Sequence, residues 1–253
     1  MADSYRGLAA DYDWIFDDQT LVSGSAINAP GPARLLQRID PASTVLDAAC
    51  GTGIDAAALA RRGFNVHATD GSQAMVEVAA ARFAREGLAI PVRYCLWADL
   101  PAAIDERFNV VFCTGNALVH ATGTDAMVEA LSALRVMARP GGHVVIDSRN
   151  WEKLHGERQI VQVKDRVRTR GGKRCIALYA WEMPAQFDQE HIAHITFLYE
   201  EEDDRIDPHE YQVSFRPFTI GELRERLEIA GLREVDTDYD QTADWYNVIA
   251  VKA

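Results

Sequence analysis

The chain has 253 residues, 48% hydrophobic and 25% charged, with a formal net charge of −12 and a sequence pI near 5.0. That length suits one large α/β domain or one domain carrying an insertion. The acidic balance repels phosphate backbones and excludes nucleic acid as an expected partner, although local arginines can still hold a small anion.

The four cysteines, Cys50, Cys95, Cys113 and Cys175, form no C-x-x-C pair. They read as reduced thiols of a cytoplasmic protein, neither a disulfide framework nor a metal site. The first residues are acidic and broken by charges, unlike a secretory leader. No apolar run reaches the roughly 20 residues that a membrane helix needs.

Residues 1–40 open with Tyr5, Tyr12 and Trp14 among interleaved acids. This pattern predicts a helical segment that either covers the sheet edge or closes as a lid over a ligand. Ala29-Pro30-Gly31-Pro32 is a break, and Ala33 to Ile39 reads as a short helix.

The chain then reaches Val45-Leu46-Asp47-Ala48-Ala49-Cys50-Gly51-Thr52-Gly53 and an Ala-rich run. An apolar strand ends in an acid, a loop of small residues follows, and a helix begins at once. Small side chains let a ligand approach the backbone, and the helix presents unpaired N–H groups and a positive dipole end. Gly51-x-Gly53-x-x-Ala56 also fits the loose dinucleotide fingerprint, so the loop alone admits a nicotinamide-dependent oxidoreductase.

Gly63 ends that helix, and Phe64 to Thr69 is the second strand, closed by Asp70-Gly71-Ser72. An acid at this strand end can accept both hydroxyls of a ribose, while Ser72 serves as the cap of the next helix. Met75, one turn in, faces either an adenine or the core. Pro91 to Trp97 reads as the third strand, ending near Asp99 and Leu100. Phe108 to Cys113 is a central apolar strand that runs into Thr114-Gly115-Asn116 and on to His120. Met127, Leu131, Leu134 and Met137 form a core stripe on a helix over roughly 124–138. Arg139-Pro140-Gly141-Gly142 stops it, and His143 to Asp147 is the fifth strand.

The pattern Asp47-x-Ala49-Cys50-Gly51-Thr52-Gly53, with these later strand ends, resembles the class I S-adenosylmethionine-dependent methyltransferases. Thr114-Gly115-Asn116-x-x-x-His120 and Ile146-Asp147-Ser148-Arg149-Asn150-Trp151 are similar to the glycine and glycine/sarcosine N-methyltransferases. The resemblance implies a doubly wound, mostly parallel seven-stranded sheet with an antiparallel C-terminal hairpin. It implies S-adenosylmethionine as cofactor, held by Tyr5, Asp47, Ala49, Cys50, Gly51, Gly53, Asp70, Gly71, Met75, Asp99, Leu100, Thr114 and His120. It also implies a small amine substrate held by Asn116 and Arg149, with Tyr12, Trp14, Tyr211 and Tyr246 as candidate walls. For Arg149 the residues themselves also allow a surface ion pair with Asp147. Ala117 stands where the glycine enzymes usually carry a hydroxyl, and Trp151 where they often carry Tyr. Both departures bear on glycine as the substrate, not on the cofactor.

Residues 152–217 carry alternating runs, Gln159 to Arg168, Arg174 to Trp181, His191 to Tyr199 and Glu210 to Phe215. They predict an antiparallel meander inserted over the pocket. Glu200 to Asp204 reads as an acidic hairpin tip. His191 and His194, three apart on a strand, face opposite sides and cannot share an ion. Thr219 to Glu222 is a capping box, and Leu232 to Val235 and Tyr246 to Val251 form the last strand pair.

The sequence contains no nucleophile–base constellation, and methyl transfer needs none, because proximity and orientation suffice. The expected activity is N-methylation of a small, carboxylate-bearing amine. An O-methyltransferase, an oxidoreductase and a non-catalytic cofactor-binding module are the alternatives. A homo-oligomer is compatible with all of them.

Overall fold

The computed structural model describes residues 4–163, 166–201 and 205–252. The aromatic leader is not the expected α-helix but two 3-10 turns, Leu8–Ala10 and Tyr12–Ile15. Asp11 and Asp13 set this path, because their carboxylates bond to distant elements on different sides of the segment. Helix α1 (Asp18–Ser23) is capped by Asp17, whose side chain accepts from Thr20 N–H. Helix α2 (Pro30–Arg38) starts earlier than the sequence pattern placed it, with Pro30 at its first position, where a missing N–H costs nothing.

Strand β1 (Thr44–Asp47), helix α3 (Ile54–Arg61), strand β2 (Asn65–Asp70), helix α4 (Gln73–Glu86) and strand β3 (Val92–Tyr94) alternate as expected. Beyond Tyr94 the third strand is shorter than its sequence suggested. Trp97–Asp99 closes a 3-10 turn, and the Trp97 indole donates to Ala48 O at 2.8 Å, pulling the chain out of the sheet. Helix α5 (Leu100–Ala103), strand β4 (Phe108–Cys113), helix α6 (Thr124–Met137) and strand β5 (Ala138–Arg149) follow.

Strand β5 takes in the Pro-Gly-Gly segment that was expected to precede it. The register explains this: Phe108 pairs with Ala138 but Val110 pairs with His143, so the extra residues bulge outward between two paired positions. A Cβ on Gly142 would lie 2.9 Å from Phe108 O and 3.0 Å from Arg139 O, so only glycine fits inside the bulge.

After helix α7 (Trp151–Glu157) come strands β6 (Val161–Val163), β7 (Arg168–Arg170), β8 (Lys173–Glu182), β9 (His191–Glu200) and β10 (Ile206–Phe215). The run expected as one strand from Gln159 to Arg168 is thus split in two, with residues 164–165 outside the described residues. Of the acidic tip, residues 202–204 also lie outside them. Helix α8 (Ile220–Ile229) opens on the expected capping box between Thr219 and Glu222. Strands β11 (Leu232–Thr237) and β12 (Trp245–Lys252) end the fold.

The main sheet has seven strands in the order β11-β12-β5-β4-β1-β2-β3, with β12 antiparallel to both neighbours and the rest parallel. Strand order reverses between β1 and β4, and the crevice at their carboxyl ends is where such sheets bind ligands. Strand β4 feeds two cores: Val111 and Cys113 join one hydrophobic layer, Val110 and Phe112 the other. The second sheet is antiparallel, ordered β10-β9-β8-β6 with β7 on β8. Its inward residues, including Tyr179, Trp181, Ile195 and Phe197, share a core with Leu46, Val111 and Ile146 of the main sheet. The predicted opposite facing of His191 and His194 holds, since His191 is fully buried while His194 reaches Glu182 at the surface. Among the described residues no helix is long and apolar enough to cross a membrane.

Candidate active site

The glycine loop is built by contacts that only small residues permit. Gly51 and Gly53 take φ of +52° and +80°, in the left-handed region. A Cβ on Gly53 would lie 2.7 Å from the Phe83 ring, so glycine lets α4 press against the loop. Cys50 N–H donates to Thr69 O at 2.9 Å, tying the loop to the end of β2. Asp70, at that end, accepts from Gly51 N–H at 2.7 Å and from Ser72 N–H at 2.8 Å. Ser72 in turn caps α4 through Met75 N–H at 3.3 Å, as its sequence position suggested.

Asp47 is 2% exposed, and its Oδ1 is buried without a hydrogen-bond partner among the described residues. Burial, then the charge of Asp55, push its carboxyl well above the usual range. An orphaned acid oxygen beside a glycine loop suits an ammonium donor, and the Asp70 carboxylate at the strand end suits hydroxyls. S-adenosylmethionine carries both groups, and the residues present fit it. Ala49 and Cys50 line the same loop, with burial pushing the Cys50 thiol up.

On the far side of β2, Gly71 faces Leu96, whose Cδ2 lies 3.4 Å from a Cβ built at that glycine. Met75 is buried and Asp99 is exposed. Leu100, expected to present its side chain to a ligand ring, is 0% exposed inside the core instead. The 3-10 turn at Trp97–Asp99 rotates it inward and leaves Leu96, 48% exposed, as the apolar side chain beside Gly71.

At the end of β4 the chain enters Thr114-Gly115-Asn116, with φ of +77° at Gly115 and +60° at Asn116. Asparagine tolerates that conformation, and Asp147 Oδ1 holds it by accepting from Asn116 N–H at 2.7 Å. Burial pushes the Asp147 carboxyl up to about 7, against the lowering pull of the Asn116 and Gly115 N–H groups. Asn116 Oδ1 accepts from Arg149 N–H and from Trp151 Nε1–H, both at 3.1 Å. Neither partner can accept, so the amide orientation is settled by chemistry. Nδ2 has no partner among the described residues and points a donor away from this network.

The Arg149 guanidinium lies between two indoles, with Cζ 5.4 Å from the Trp181 ring centroid and 4.9 Å from that of Trp245. Its hydrogen-bond partner is Gln162 Oε1 at 3.4 Å. Among the described residues it makes no ion pair. Asp147, the alternative partner read from the sequence, is occupied by Asn116. Burial pulls the guanidinium below its ordinary pKa, but not out of its charged state near neutrality.

The leader brings Tyr5 and Tyr12 to the same region. Tyr12 Cε1 is 3.9 Å from a Cβ built on Gly51, and Tyr5 packs edge-on against Tyr12 at 6.1 Å. The Tyr5 hydroxyl meets His120 Nε2 at 2.9 Å, and burial pushes His120 down to about 4, leaving it neutral. Thr114 is also buried. The other expected walls make further contacts of their own. Trp14 packs on Tyr199 and carries the Arg170 guanidinium on its ring. Tyr211 donates to Asp11, and Tyr246 is 2% exposed against Tyr239.

Two clamps that the sequence did not announce hold the leader. Asp13 accepts from Arg82 at 2.5 Å and Thr52 Oγ1 at 2.7 Å, and Arg82 Nε also donates to Thr52 O in the glycine loop. Asp11 accepts from Tyr199, Tyr211 and His209 of the second sheet, at 2.7, 2.7 and 2.6 Å. Trp181, Tyr179 and Trp245 were also missed. The signal for Trp245 was strand pairing, since Trp245 lies directly opposite Arg149 across β12 and β5.

A family model described as a methyltransferase domain matches residues 45–142. The glycine/sarcosine N-methyltransferase of Aphanothece halophytica is 30% identical over 116 residues, 46% of this chain and 44% of that protein. The chain spans less than half the length of the first curated relatives it matches. The structure of the CcbJ methyltransferase from Streptomyces caelestis superposes with a TM-score of 0.76 at 22% identity, covering 99% of this chain and 98% of that one. The sugar N-methyltransferase KedS8 from Streptoalloteichus superposes at 0.69 with 19% identity, covering 90% and 87%. At these identities the two structures show the fold alone. Sheet order, glycine loop and superpositions converge on one fold: the chain has the class I methyltransferase fold, with a methyltransferase-domain match over residues 45–142.

Proposed function

We propose that this protein transfers a methyl group from S-adenosylmethionine to the nitrogen of a small amine that bears a carboxylate. The observation that carries the reading is Arg149, a guanidinium braced by two tryptophans with no ion pair among the described residues, beside the free donor of Asn116. A guanidinium held in a fixed plane grips a carboxylate with two parallel bonds, which sets direction as well as position.

When bound, S-adenosylmethionine would supply an electrophilic methyl carbon for attack by an amine lone pair, with the thioether S-adenosylhomocysteine as the leaving group as the S–CH3 bond breaks. The chain's part is orientation and exclusion of water. Asp70 holds hydroxyls of the cofactor, and Asp47 offers its orphaned oxygen to an ammonium. Arg149 and Asn116 fix the acceptor's carboxylate so that the amine faces the cofactor side. Tyr5 and Tyr12, anchored through the leader's two acids, close the space above Gly51. Orientation of this kind contributes on the order of 7–11 kcal/mol. The relatives named for glycine and sarcosine support an amino-acid acceptor in this site.

The test is turnover with glycine, sarcosine, larger amino acids and amino sugars, followed by release of S-adenosylhomocysteine. The reading expects methylation of carboxylate-bearing amines. Preference for amino sugars without a carboxylate would refute the assigned role of Arg149.

A further inference from the structure

The indole of Trp181 is 4% exposed, and its Nε1 is buried with no hydrogen-bond partner among the described residues. Unpaired buried donors are uncommon in folded proteins, and each calls for an explanation. The neighbouring indole, Trp151, is edge-on to Trp181 at 5.8 Å and uses its N–H to orient Asn116. Trp181 has no such internal use. It stands on the inward face of β8, stacked on Tyr179 at 6.0 Å and 19°, with the Arg149 guanidinium 5.4 Å from its ring.

Packing alone does not account for an indole here, since a phenyl ring would fill a dry site without stranding a donor. Three groups with donors to spare lie at the ends of β4, β5 and β8: Asn116 Nδ2, the Arg149 guanidinium beyond its one bond to Gln162, and the unpartnered Trp181 Nε1. Among the described residues no acidic side chain pairs with any of them. The ligand chemistry that serves all three is a planar anion with two oxygens.

We propose that Trp181 determines acceptor specificity by donating its indole N–H to the substrate's carboxylate, as a third donor beside Arg149 and Asn116. This rests on the carboxylate reading above and adds to it. A carboxylate with three donors is distinguished from a neutral amide or hydroxyl more sharply than one held by arginine alone, because the neutral group leaves donors unpaired.

The experiment uses the full chain saturated with S-adenosylhomocysteine and titrated with acetate, the minimal carboxylate. Acetate binding is followed by calorimetry and by the indole N–H resonances of the five tryptophans. The expected result is one indole resonance moving downfield, absent from Trp181→Phe, with acetate affinity about ten-fold weaker in that variant. Arg149→Met should abolish binding. If acetate binding depends on Arg149 but Trp181→Phe binds equally well, the proposal falls and the carboxylate site stands. If Arg149→Met also binds normally, both fall. Should Trp181→Phe fail to fold, the wild-type titration still decides, because saturation without movement of any indole resonance overturns the proposal.

Discussion

The backbone N–H of Arg149 donates to Asn116 Oδ1 at 3.1 Å, so the residue beyond strand β4 and the residue ending β5 orient each other. The two were read from sequence as separate candidates for holding the substrate. The bond couples them. With its oxygen committed, Asn116 offers a ligand only N–H.

Asn116→Asp tests this directly. The aspartate keeps an oxygen for Arg149 N–H and Trp151 Nε1–H but replaces the free donor with a charged acceptor. Acceptor KM should rise at least ten-fold, with S-adenosylhomocysteine affinity and melting temperature close to wild type. Steady-state kinetics and calorimetry on the one variant check both parts.

Asp70→Ala removes the acceptor of Gly51 N–H and the proposed grip on the ribose hydroxyls. Charged hydrogen bonds of this kind contribute about 1.5–3 kcal/mol, so S-adenosylhomocysteine should bind roughly 10- to 100-fold more weakly. An unchanged titration would remove Asp70 from the cofactor site.

Gly53→Ala should destabilise the fold by about 1–3 kcal/mol, because the new methyl meets the Phe83 ring and the residue keeps a left-handed backbone. Thermal unfolding measures it, and a variant as stable as wild type would show that α4 yields at that contact.

The Asp11 clamp predicts a pH dependence of stability. Burial pulls the Asp11 carboxyl up, but bonds from His209, Tyr199 and Tyr211 outweigh it and hold the group below its ordinary range. The bond to Asp11 raises His209, against a smaller opposing effect of burial. The Asp11 contribution is complete above its unfolded pKa of about 4 and is lost as pH falls through the lower folded value. The His209 contribution is complete below about 6.5 and is lost as pH rises through its raised folded value. The clamp is therefore strongest between about pH 4 and 6.5. Wild type should lose melting temperature from pH 6.5 to 8 that His209→Gln does not lose. Parallel curves would show that the histidine adds nothing to the clamp.

The main sheet was legible because its strands are short apolar runs ending in acids or small residues, a local pattern. The acid of β2, the cap at Ser72 and the box at Thr219 were legible for the same reason. What was not legible depends on pairing across the chain. Trp245 meets Arg149 only because β12 lies antiparallel on β5, and alternation there sends Tyr246 into the core instead. Leu100 was misplaced because the Trp97 indole bond to Ala48 O ends the strand early, a tertiary contact that overrides the run of β-favouring residues. Asp11 and Asp13 looked like the polar face of a helix, since nothing local reveals partners nearly 200 residues away for one and about 70 for the other.

The central claim is that Arg149 holds the acceptor by its carboxylate while S-adenosylmethionine lies across the glycine loop. The most direct measurement compares kcat/KM of wild type and Arg149→Met for the best carboxylate-bearing acceptor, alongside S-adenosylhomocysteine affinity in both. The account predicts a fall of at least 50-fold in the variant with cofactor affinity unchanged. Equal turnover by the two proteins would contradict it.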